Sequence, residues 1–161
     1  MEDIVIRKIE AQDNAALAKI IRQTLEEFNA AKPGTVYYDE STDRLSTVFI
    51  VTGSIYYVAE QDGVILGGAG IYPTDGLDKD TCELVKMYLL PSARGKGTGI
   101  KLLSQCIAFA TQAGYKNIYI ESMPELKKAV QLYKKLGFER LKAPIGKGGH
   151  FGCDIWMMKQ I

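Results

Sequence analysis

Met87-Tyr88-Leu89-Leu90-Pro91-Ser92-Ala93-Arg94-Gly95-Lys96-Gly97-Thr98-Gly99-Ile100 is the stretch of this sequence that predicts most about its fold. An apolar strand runs into a proline, a turn follows with glycine at alternate positions, and a long helix then begins. Glycine lets a backbone approach a ligand closely, and the first turn of a helix offers unpaired N–H groups at the positive end of its dipole. The stretch therefore predicts an anion site, most naturally for a phosphate, with positive charge from Arg94 and Lys96.

Two well-known glycine motifs do not fit this turn. A P-loop places Gly-Lys-Ser or Gly-Lys-Thr at a fixed spacing after its first glycine, and that spacing is absent here. A dinucleotide-binding turn has the pattern G-x-G-x-x-G in an early βαβ unit, whereas Gly95, Gly97 and Gly99 form G-x-G-x-G late in the chain. An ordinary strand-to-helix turn without a ligand stays open as the alternative.

The composition of the whole chain narrows the class of protein. The chain has 161 residues, 47% of them hydrophobic and 24% charged, which predicts one globular domain over residues 1–161. A formal net charge of +1 argues against a nucleic-acid partner, and no apolar run is long enough to span a membrane. Three scattered cysteines and a single histidine favour reduced core thiols in the cytoplasm and no metal site.

Hydrophobic periodicity predicts the order of the elements. Asp13 is expected to cap a first helix over 14–28, and the Asp62-Gly63 pair to turn a β-hairpin. Ser122 and Glu125 have the spacing of a capping box for a later helix. The expected strands are 4–9, 55–60, 64–72, 81–90, 117–121, 138–141 and 151–159, and the expected helices are 14–28, 39–51, 98–113 and 124–136. The Val, Thr and Ile residues of 39–51 also suit a strand, which stays open for that segment. Hairpins mixed with β-α-β crossovers predict one mixed sheet with helices on both faces.

Two motifs give the chain a resemblance to a known family. Arg94, Gly97 and Gly99 fit the acetyl-CoA-binding signature of the GNAT acetyltransferase superfamily, which is Gln or Arg, two residues, Gly, one residue, then Gly or Ala. Farther along, Leu132-Tyr133-Lys134-Lys135-Leu136-Gly137-Phe138 is similar to the helix-to-strand signature of the same family. The element order also resembles the GNAT fold, an α/β (mixed α+β) domain with helices on both faces of a mostly antiparallel sheet of about seven strands. In that fold the sheet splays in the middle and holds the cofactor in the gap.

The resemblance implies an activity. It implies an N-acetyltransferase that moves an acetyl group from the co-substrate acetyl-CoA directly to a primary amine of a small molecule or peptide. Two other classes stay open, which are a regulatory domain that binds acetyl-CoA without turnover and an unrelated phosphate-binding protein. Many relatives dimerise, so a homodimer is a further expectation.

The resemblance also implies residue roles. The backbone of Met87, Tyr88 and Leu89 is expected to bind the pantetheine arm, and the turn of Arg94, Gly95, Lys96, Gly97, Thr98 and Gly99 the pyrophosphate. Tyr133 is expected to protonate the leaving thiolate, although a core aromatic whose hydroxyl bonds a carbonyl is the structural alternative. Many relatives have Asn where this chain has Leu126, which removes one polar contact with the coenzyme.

The acceptor side of the site is less constrained by the sequence. Strand alternation puts Glu83 and Val85 on one face and Leu84 and Lys86 on the other, so Glu83 is a candidate base or a solvated carboxylate. Tyr37 and Tyr38, beside Asp39, could hold a cationic amine or simply pack. His150 follows two glycines in a loop that is expected to lie at the substrate end of the cleft, so it is a candidate substrate-binding residue.

Overall fold

The computed structural model of the chain describes residues 3–147 and 151–161. One seven-stranded sheet consists of β1 (Val5–Lys8), β2 (Ile55–Gln61), β3 (Val64–Tyr72), β4 (Thr81–Leu89), β5 (Asn117–Ser122), β6 (Glu139–Arg140) and β7 (Ile155–Gln160). The α-helices are α1 (Asn14–Glu27), α2 (Leu45–Val48), α3 (Thr98–Gln112) and α4 (Lys127–Lys135). The strand order is β1-β2-β3-β4-β5-β7-β6, with β4 and β5 parallel and every other pair antiparallel. The expected mixed, mostly antiparallel sheet is thus confirmed.

The helices cover both faces of the sheet, and each face has its own apolar core. On one face, Leu102, Leu103 and Cys106 of α3 pack with Val130 and Tyr133 of α4. On the other face, side chains of α1 and α2 pack with Tyr56 and Val58 of β2. The β2–β3 hairpin turns at Asp62 and Gly63, whose φ angles are 51° and 79°. Both central residues are left-handed, as a type I′ turn requires, so the hairpin prediction is confirmed.

The single helix expected over 39–51 is wrong. Asp39 is extended and Arg44 has φ −142° and ψ 44°, so the segment splits into a 3₁₀ turn at Glu40–Asp43 and the short α2. The side chain of Asn14 in α1 holds the start of α2, since its Oδ1 accepts from the Ser46 N–H at 2.9 Å and its Nδ2 donates to the Ser46 hydroxyl at 2.7 Å. Tertiary contacts, rather than local hydrophobic periodicity, therefore determine the conformation of this segment.

Two boundaries near the site also differ from the expectation. Ser122 is the last residue of β5 and pairs with Ile155, while the Glu125 carboxylate forms an ion pair with Lys32. The capping box is therefore wrong, and α4 begins at Lys127 with Leu126 as its N-cap and no side-chain cap. The last strand begins at Ile155 rather than at residue 151. The Gly152 N–H bonds the Gly34 carbonyl at 2.9 Å instead, so this segment contacts the loop after α1.

The centre of the sheet opens because β4 and β5 share only a short ladder. Three residue pairs join them, which are Thr81 with Asn117, Cys82 with Ile118, and Glu83 with Tyr119. Beyond Glu83 no pair joins the two strands, although β4 continues to Leu89. The backbone of β4 past Glu83 therefore has ladder partners on β3 alone, which is the splay that the resemblance implies.

A β-bulge lies in β4 just where the splay begins. Gly68 pairs with Tyr88 and Gly70 with Val85, so Lys86 and Met87 lie opposite a single residue of β3. Lys86 has φ 52°, a left-handed conformation that is costly for a residue with a long side chain. The bulge moves Lys86 onto the Glu83 side of the strand, where its Nζ lies 3.6 Å from a carboxylate oxygen of Asp39. The expected placement of Lys86 on the opposite face is therefore wrong, because strict alternation fails at a bulge.

Asp13 ties β1, β2 and the start of α1 together. Its buried carboxylate accepts two hydrogen bonds from the Arg7 guanidinium, at 2.8 and 2.9 Å, and one from the Glu10 N–H at 2.8 Å. Arg7 also donates to Glu60 at 2.6 Å. Asp13 is the N-cap residue of α1, as expected, but its side chain makes no cap hydrogen bond to that helix and accepts from Arg7 and the Glu10 N–H instead. The hydrogen bonds from Arg7 lower the pKa of Asp13.

Replacing Asp13 with alanine is expected to destabilise the fold by about 3 kcal/mol, because the change removes two charge-assisted hydrogen bonds from Arg7 and leaves Glu60 as its remaining carboxylate partner. Urea unfolding at neutral pH measures this loss. Because the folded pKa of Asp13 is lowered, its contribution is complete above the unfolded carboxyl pKa of about 4 and is lost as the pH falls through the folded value. The difference between wild type and variant should therefore shrink in acid. Asp3→Ala removes an exposed carboxylate and serves as the control; an equal loss in both variants would contradict the role of the pair.

Candidate active site

A cavity of about 340 Å³ lies where β4 and β5 separate. Its walls come from the two splayed strands, the glycine turn after β4, the end of α1 and the first turns of α4. The residues predicted for cofactor binding and catalysis that line it are Glu83, Met87, Tyr88, Leu89, Arg94, Gly95, Gly97, Gly99 and Tyr133. The fold therefore brings both motifs of the sequence to one cavity.

The glycine turn leaves its backbone open toward a ligand. Gly95 and Gly97 have φ angles of 73° and 80°, and a Cβ built on either meets no atom within 4 Å. Thr98, the first residue of the 15-residue helix α3, is 1% exposed, and its hydroxyl has no hydrogen-bond partner among the described residues. A left-handed turn at a helix N-terminus fits a phosphate group, whereas the buried Thr98 side chain does not line the cavity. Lys96 is exposed on the turn and does not line the cavity.

The Arg94 side chain is engaged with the protein rather than open to a phosphate. Its guanidinium binds the Glu27 carboxylate at 2.6 and 3.1 Å, and its Nε donates to the Leu89 carbonyl at 3.0 Å. It also lies 5.1 Å from the centre of the Phe28 ring. Arg94 therefore joins the C-terminal end of α1 to the end of β4 and fixes the start of the glycine turn. Its cofactor contact would come through the backbone of that turn.

The two faces of β4 supply different groups to the cavity. Met87 and Leu89 pack against the α3 and α4 core, whereas Tyr88 packs on the α1 face. Leu126, at the start of α4, lines the cavity where the resemblance implies a polar asparagine. The part of the cavity wall that Met87, Leu89 and Leu126 form is accordingly apolar.

Glu83 is the buried carboxylate at the point where the strands part. It is 3% exposed, and its Oε1 accepts a hydrogen bond from the Thr74 hydroxyl at 2.7 Å. Glu121 also lines the cavity, from β5, and accepts a hydrogen bond from the Tyr119 hydroxyl at 2.8 Å. The solvated-surface alternative for Glu83 does not fit its burial.

Two tyrosines reach the same cavity. Tyr133 is 5% exposed, its ring packs edge-on against Phe138 at 5.9 Å, and its hydroxyl has no hydrogen-bond partner among the described residues. A core tyrosine would ordinarily pair its hydroxyl, so the open hydroxyl favours a role toward a ligand. Burial raises the pKa of Tyr133 and that of Tyr88, and Tyr88 is close enough for Tyr133 to add to its shift. Sequence reasoning gave Tyr88 only a backbone role.

Lys86 is a further residue of the cavity for which the sequence predicted no role. Its side chain is 7% exposed and lines both the first cavity and a second, of about 640 Å³, on the far side of Glu83. Burial lowers the pKa of Lys86, while Asp39 and Glu83 oppose that shift. The alternation of residues in a strand does not reveal a bulge. The sequence therefore indicated Lys86 only as a lysine within an apolar strand.

The residues predicted for the acceptor lie elsewhere or outside the described residues. The Tyr37 hydroxyl donates to Glu26, and Tyr38 is 61% exposed with its ring 5.0 Å from that of Tyr37. Neither tyrosine lines the two cavities described here. Their neighbour Asp39 does line the second cavity. His150 lies outside the described residues.

Known proteins resemble this chain in sequence. The sequence matches the Acetyltransferase (GNAT) family over residues 17–138. The chain belongs to the GNAT family. A similar protein is the uncharacterized N-acetyltransferase YjgM of Escherichia coli (strain K12), which is 39% identical over 158 residues, or 98% of this chain and 95% of that one.

Solved structures share the fold of this GNAT chain. A GNAT-family acetyltransferase from Staphylococcus aureus Mu50 superposes with a TM-score of 0.85 at 19% identity, over 98% of this chain and 99% of that one. The acetyltransferase yncA of Salmonella typhimurium, solved with its cofactor acetyl-CoA, gives a TM-score of 0.77 at 24% identity, over 99% and 94% of the two chains.

Family membership decides between the classes that the sequence left open. The chain is an acetyl-CoA-dependent N-acetyltransferase, and this activity is favoured over binding of acetyl-CoA without turnover. No helix within the described residues combines the length and apolar character that membrane crossing demands. Over residues 3–147 and 151–161, no cluster of three or more histidine, cysteine or acidic side chains could hold a metal ion.

Gly97→Ala is expected to lower acetyl-CoA affinity tenfold or more, on the order of 1.4 kcal/mol, because the added methyl enters the open space over the turn. Titration calorimetry measures the affinity. Gly114→Ala is the matched control, since Gly114 ends the same helix, has φ 94°, and its added Cβ also meets no atom within 4 Å. Both variants should lose about 1 kcal/mol of stability from the left-handed conformation. Equal acetyl-CoA affinities in the two variants would show that the phosphates do not bind at this turn.

Proposed function

We propose that this chain transfers an acetyl group from acetyl-CoA directly to a primary amine, with Glu83 as the base and Tyr133 as the acid. The observation that carries the proposal is that both side chains line the cavity that begins at the splay and ends at the glycine turn. When bound, acetyl-CoA supplies the thioester carbonyl that an amine attacks. The turn of Gly95, Gly97 and Thr98 would hold its phosphates through backbone N–H groups.

Glu83 suits the removal of a proton from the acceptor amine. It lines both cavities, so it can face an amine that arrives from the second cavity while the acetyl donor fills the first. The Thr74 hydroxyl fixes the orientation of the carboxylate. A base within reach of the amine, directly or through one water, is what this step needs.

Tyr133 suits the protonation of the leaving thiolate. Burial raises the pKa of Tyr133, so the phenol keeps its proton at neutral pH and is available as a donor. Its hydroxyl makes no competing hydrogen bond to a described residue. Packing against Phe138 restricts the ring, which lowers the entropic cost of holding the hydroxyl in place.

Direct transfer is favoured over an acyl-enzyme. Of the cysteines, only Cys153 lines the first cavity, and burial raises its pKa to about 12, so its thiol stays protonated and is a poor nucleophile. A cytoplasmic location, a homodimer and the choice between a small-molecule and a peptide acceptor stay predictions from the sequence.

Glu83→Gln should lower kcat/KM by about 10²-fold at neutral pH, because the amide cannot accept the proton of the amine. Steady-state thiol release across pH measures this. Raising the pH should recover part of the loss, since more of the amine then arrives neutral, and acetyl-CoA affinity should stay near wild type. Glu121→Gln, which removes a second carboxylate of the same cavity, is the matched control. A larger loss in Glu121→Gln would give the role of base to Glu121.

Tyr133→Phe keeps the ring and its packing, so stability should change little while kcat falls about 10²-fold. A thioester with a better leaving thiol should recover part of this loss, because protonation of the thiolate then matters less. Tyr57→Phe on β2, a half-buried ring that packs against the same core, controls for the loss of a hydroxyl elsewhere. Tyr88→Phe tests the other hydroxyl of the cavity. A normal kcat in Tyr133→Phe together with a loss in Tyr88→Phe would transfer the acid role to Tyr88.

A further inference from the structure

We infer that the acceptor is an amine that also carries a carboxylate, of which an α-amino acid is the simplest example. The inference rests on the proposed function, because it takes Glu83 as the point where the amine is deprotonated. It names the chemical class of molecule that fits the second cavity.

The second cavity adjoins the acetyl-transfer cavity. Glu83, Val85 and Lys86 line both, so a molecule in the second cavity can present a nitrogen to Glu83 from the side opposite the glycine turn. Part of its wall is apolar, from Val48, Phe49 and Tyr72. The rest is strongly charged, and the charged lining residues are Asp39, Arg44, Asp75, Glu83, Lys86 and Lys147.

Two of the three cationic groups that line this cavity have no carboxylate partner among the described residues. Arg44 and Lys147 form no ion pair with any residue of the part of the chain that the structure describes. Asp43, the neighbour of Arg44 in sequence, is itself bound by Arg22 at 2.5 and 3.0 Å. Both cations are exposed at the cavity, where an anionic group of a ligand can reach them.

The backbone around Lys147 holds that residue over the cavity. The Lys147 N–H donates to the Asp75 carbonyl at 2.6 Å, which joins its loop to the loop between β3 and β4. Gly76 has φ 87°, and a Cβ built on it would lie 2.8 Å from Cγ of Lys147. The stem of the lysine therefore lies across the glycine, and a larger residue there would displace it.

The inner end of the cavity favours an amine. Glu83 is buried there. The ammonium of Lys86, the cation at this end, is already paired with the Asp39 carboxylate at 3.6 Å. A ligand ammonium next to Glu83 and a ligand carboxylate next to Arg44 or Lys147 would each meet an opposite charge. An acceptor with only cationic groups, such as a polyamine, would bring a second positive charge to Arg44 and Lys147.

The balance of charge selects a carboxylate over a phosphate. The lining has three cations and three carboxylates, so a zwitterion with one charge of each sign leaves it neutral. A phosphate would add a further negative charge to a cavity that already contains Asp75, whose side chain has no cationic partner among the described residues. The fork of Arg44 can bind a carboxylate through two parallel hydrogen bonds.

The test is thiol release with each common amino acid, its primary amide and its decarboxylated amine as acceptors. We expect kcat/KM for the preferred amino acid to exceed that for its amide by about tenfold or more. The amine of the amide is less basic, so a larger fraction of it is neutral and nucleophilic at neutral pH. A preference for the amino acid would therefore be opposite to the order of intrinsic reactivity. Equal or better turnover of the amides or of the decarboxylated amines overturns the inference.

Variants locate the carboxylate site. Arg44→Gln and Lys147→Met should each raise KM for the amino acid about tenfold, with kcat for it and kcat/KM for the amide nearly unchanged. Lys142→Met removes an exposed lysine of the same loop that does not line the cavity. This variant should leave KM and kcat unchanged for both the amino acid and its amide. Equal losses for the amino acid and its amide would assign these cations a structural role and overturn the inference.

Failure of the inference is distinct from failure of the proposed function. If amides and simple amines release thiol but amino acids do not, acetyl transfer to an amine stands and only the acceptor class is wrong. If Glu83→Gln and Tyr133→Phe turn over as fast as wild type, the proposed roles are wrong. The inference then falls with them, because the amine end of the cavity was assigned from Glu83.

Discussion

The functional cavity depends on how few residue pairs join β4 to β5. A parallel pair that ran the full length of β4 would close the sheet and leave no room between the strands. The ladder stops at Glu83 instead, and a cavity of about 340 Å³ takes its place. Backbone groups of β4 past that point lack ladder partners on β5, and a buried unpaired amide is costly. A ligand with amide groups can satisfy them, so the same opening that weakens the sheet leaves backbone groups available for a ligand.

The bulge beside the splay is held by contacts from the other side of the sheet. The Tyr56 hydroxyl donates to the carbonyl of Lys86 at 2.7 Å, which satisfies a group that the ladder leaves out. Tyr56 can lie there because β3 has glycine opposite, since a Cβ on Gly68 or Gly70 would come within 2.4 to 2.7 Å of the Tyr56 ring. The glycines of β3 therefore serve packing as well as backbone conformation. In this way a tyrosine on β2 helps to set the position of a lysine on β4.

The parts of the fold that the sequence predicted are those with local causes. Paired left-handed residues fix the hairpin at Asp62, and alternate glycines fix the turn before α3. Several errors have the opposite property, because the contact that decides them comes from a partner distant in sequence. Glu125 pairs with Lys32 instead of capping a helix, and Asn14 starts a short helix at Ser46.

The candidate site divides in the same way. Local motifs predicted the glycine turn and Tyr133, and these line one cavity as expected. The engagement of Arg94 with Glu27 depends on how α1 lies against the end of β4, and no motif around either residue encodes it. Tyr88 was assigned only a backbone role, and the strand pattern gave no sign that its buried hydroxyl lies near that of Tyr133.

Lys86 combines two costs at one residue. The described residues other than glycine with positive φ are Asn29, Asp62 and Lys86, and only the lysine lacks a short polar side chain that eases this conformation. Its ammonium is also largely removed from water, with Asp39 at 3.6 Å and Glu83 as the nearby carboxylates. A glycine or asparagine would suit the backbone better, and an apolar residue would suit the burial better. Strain of this kind points to function, and the left-handed turn has a definite effect, since it moves the ammonium from the α3 side of the sheet to the side where Glu83 and the second cavity lie.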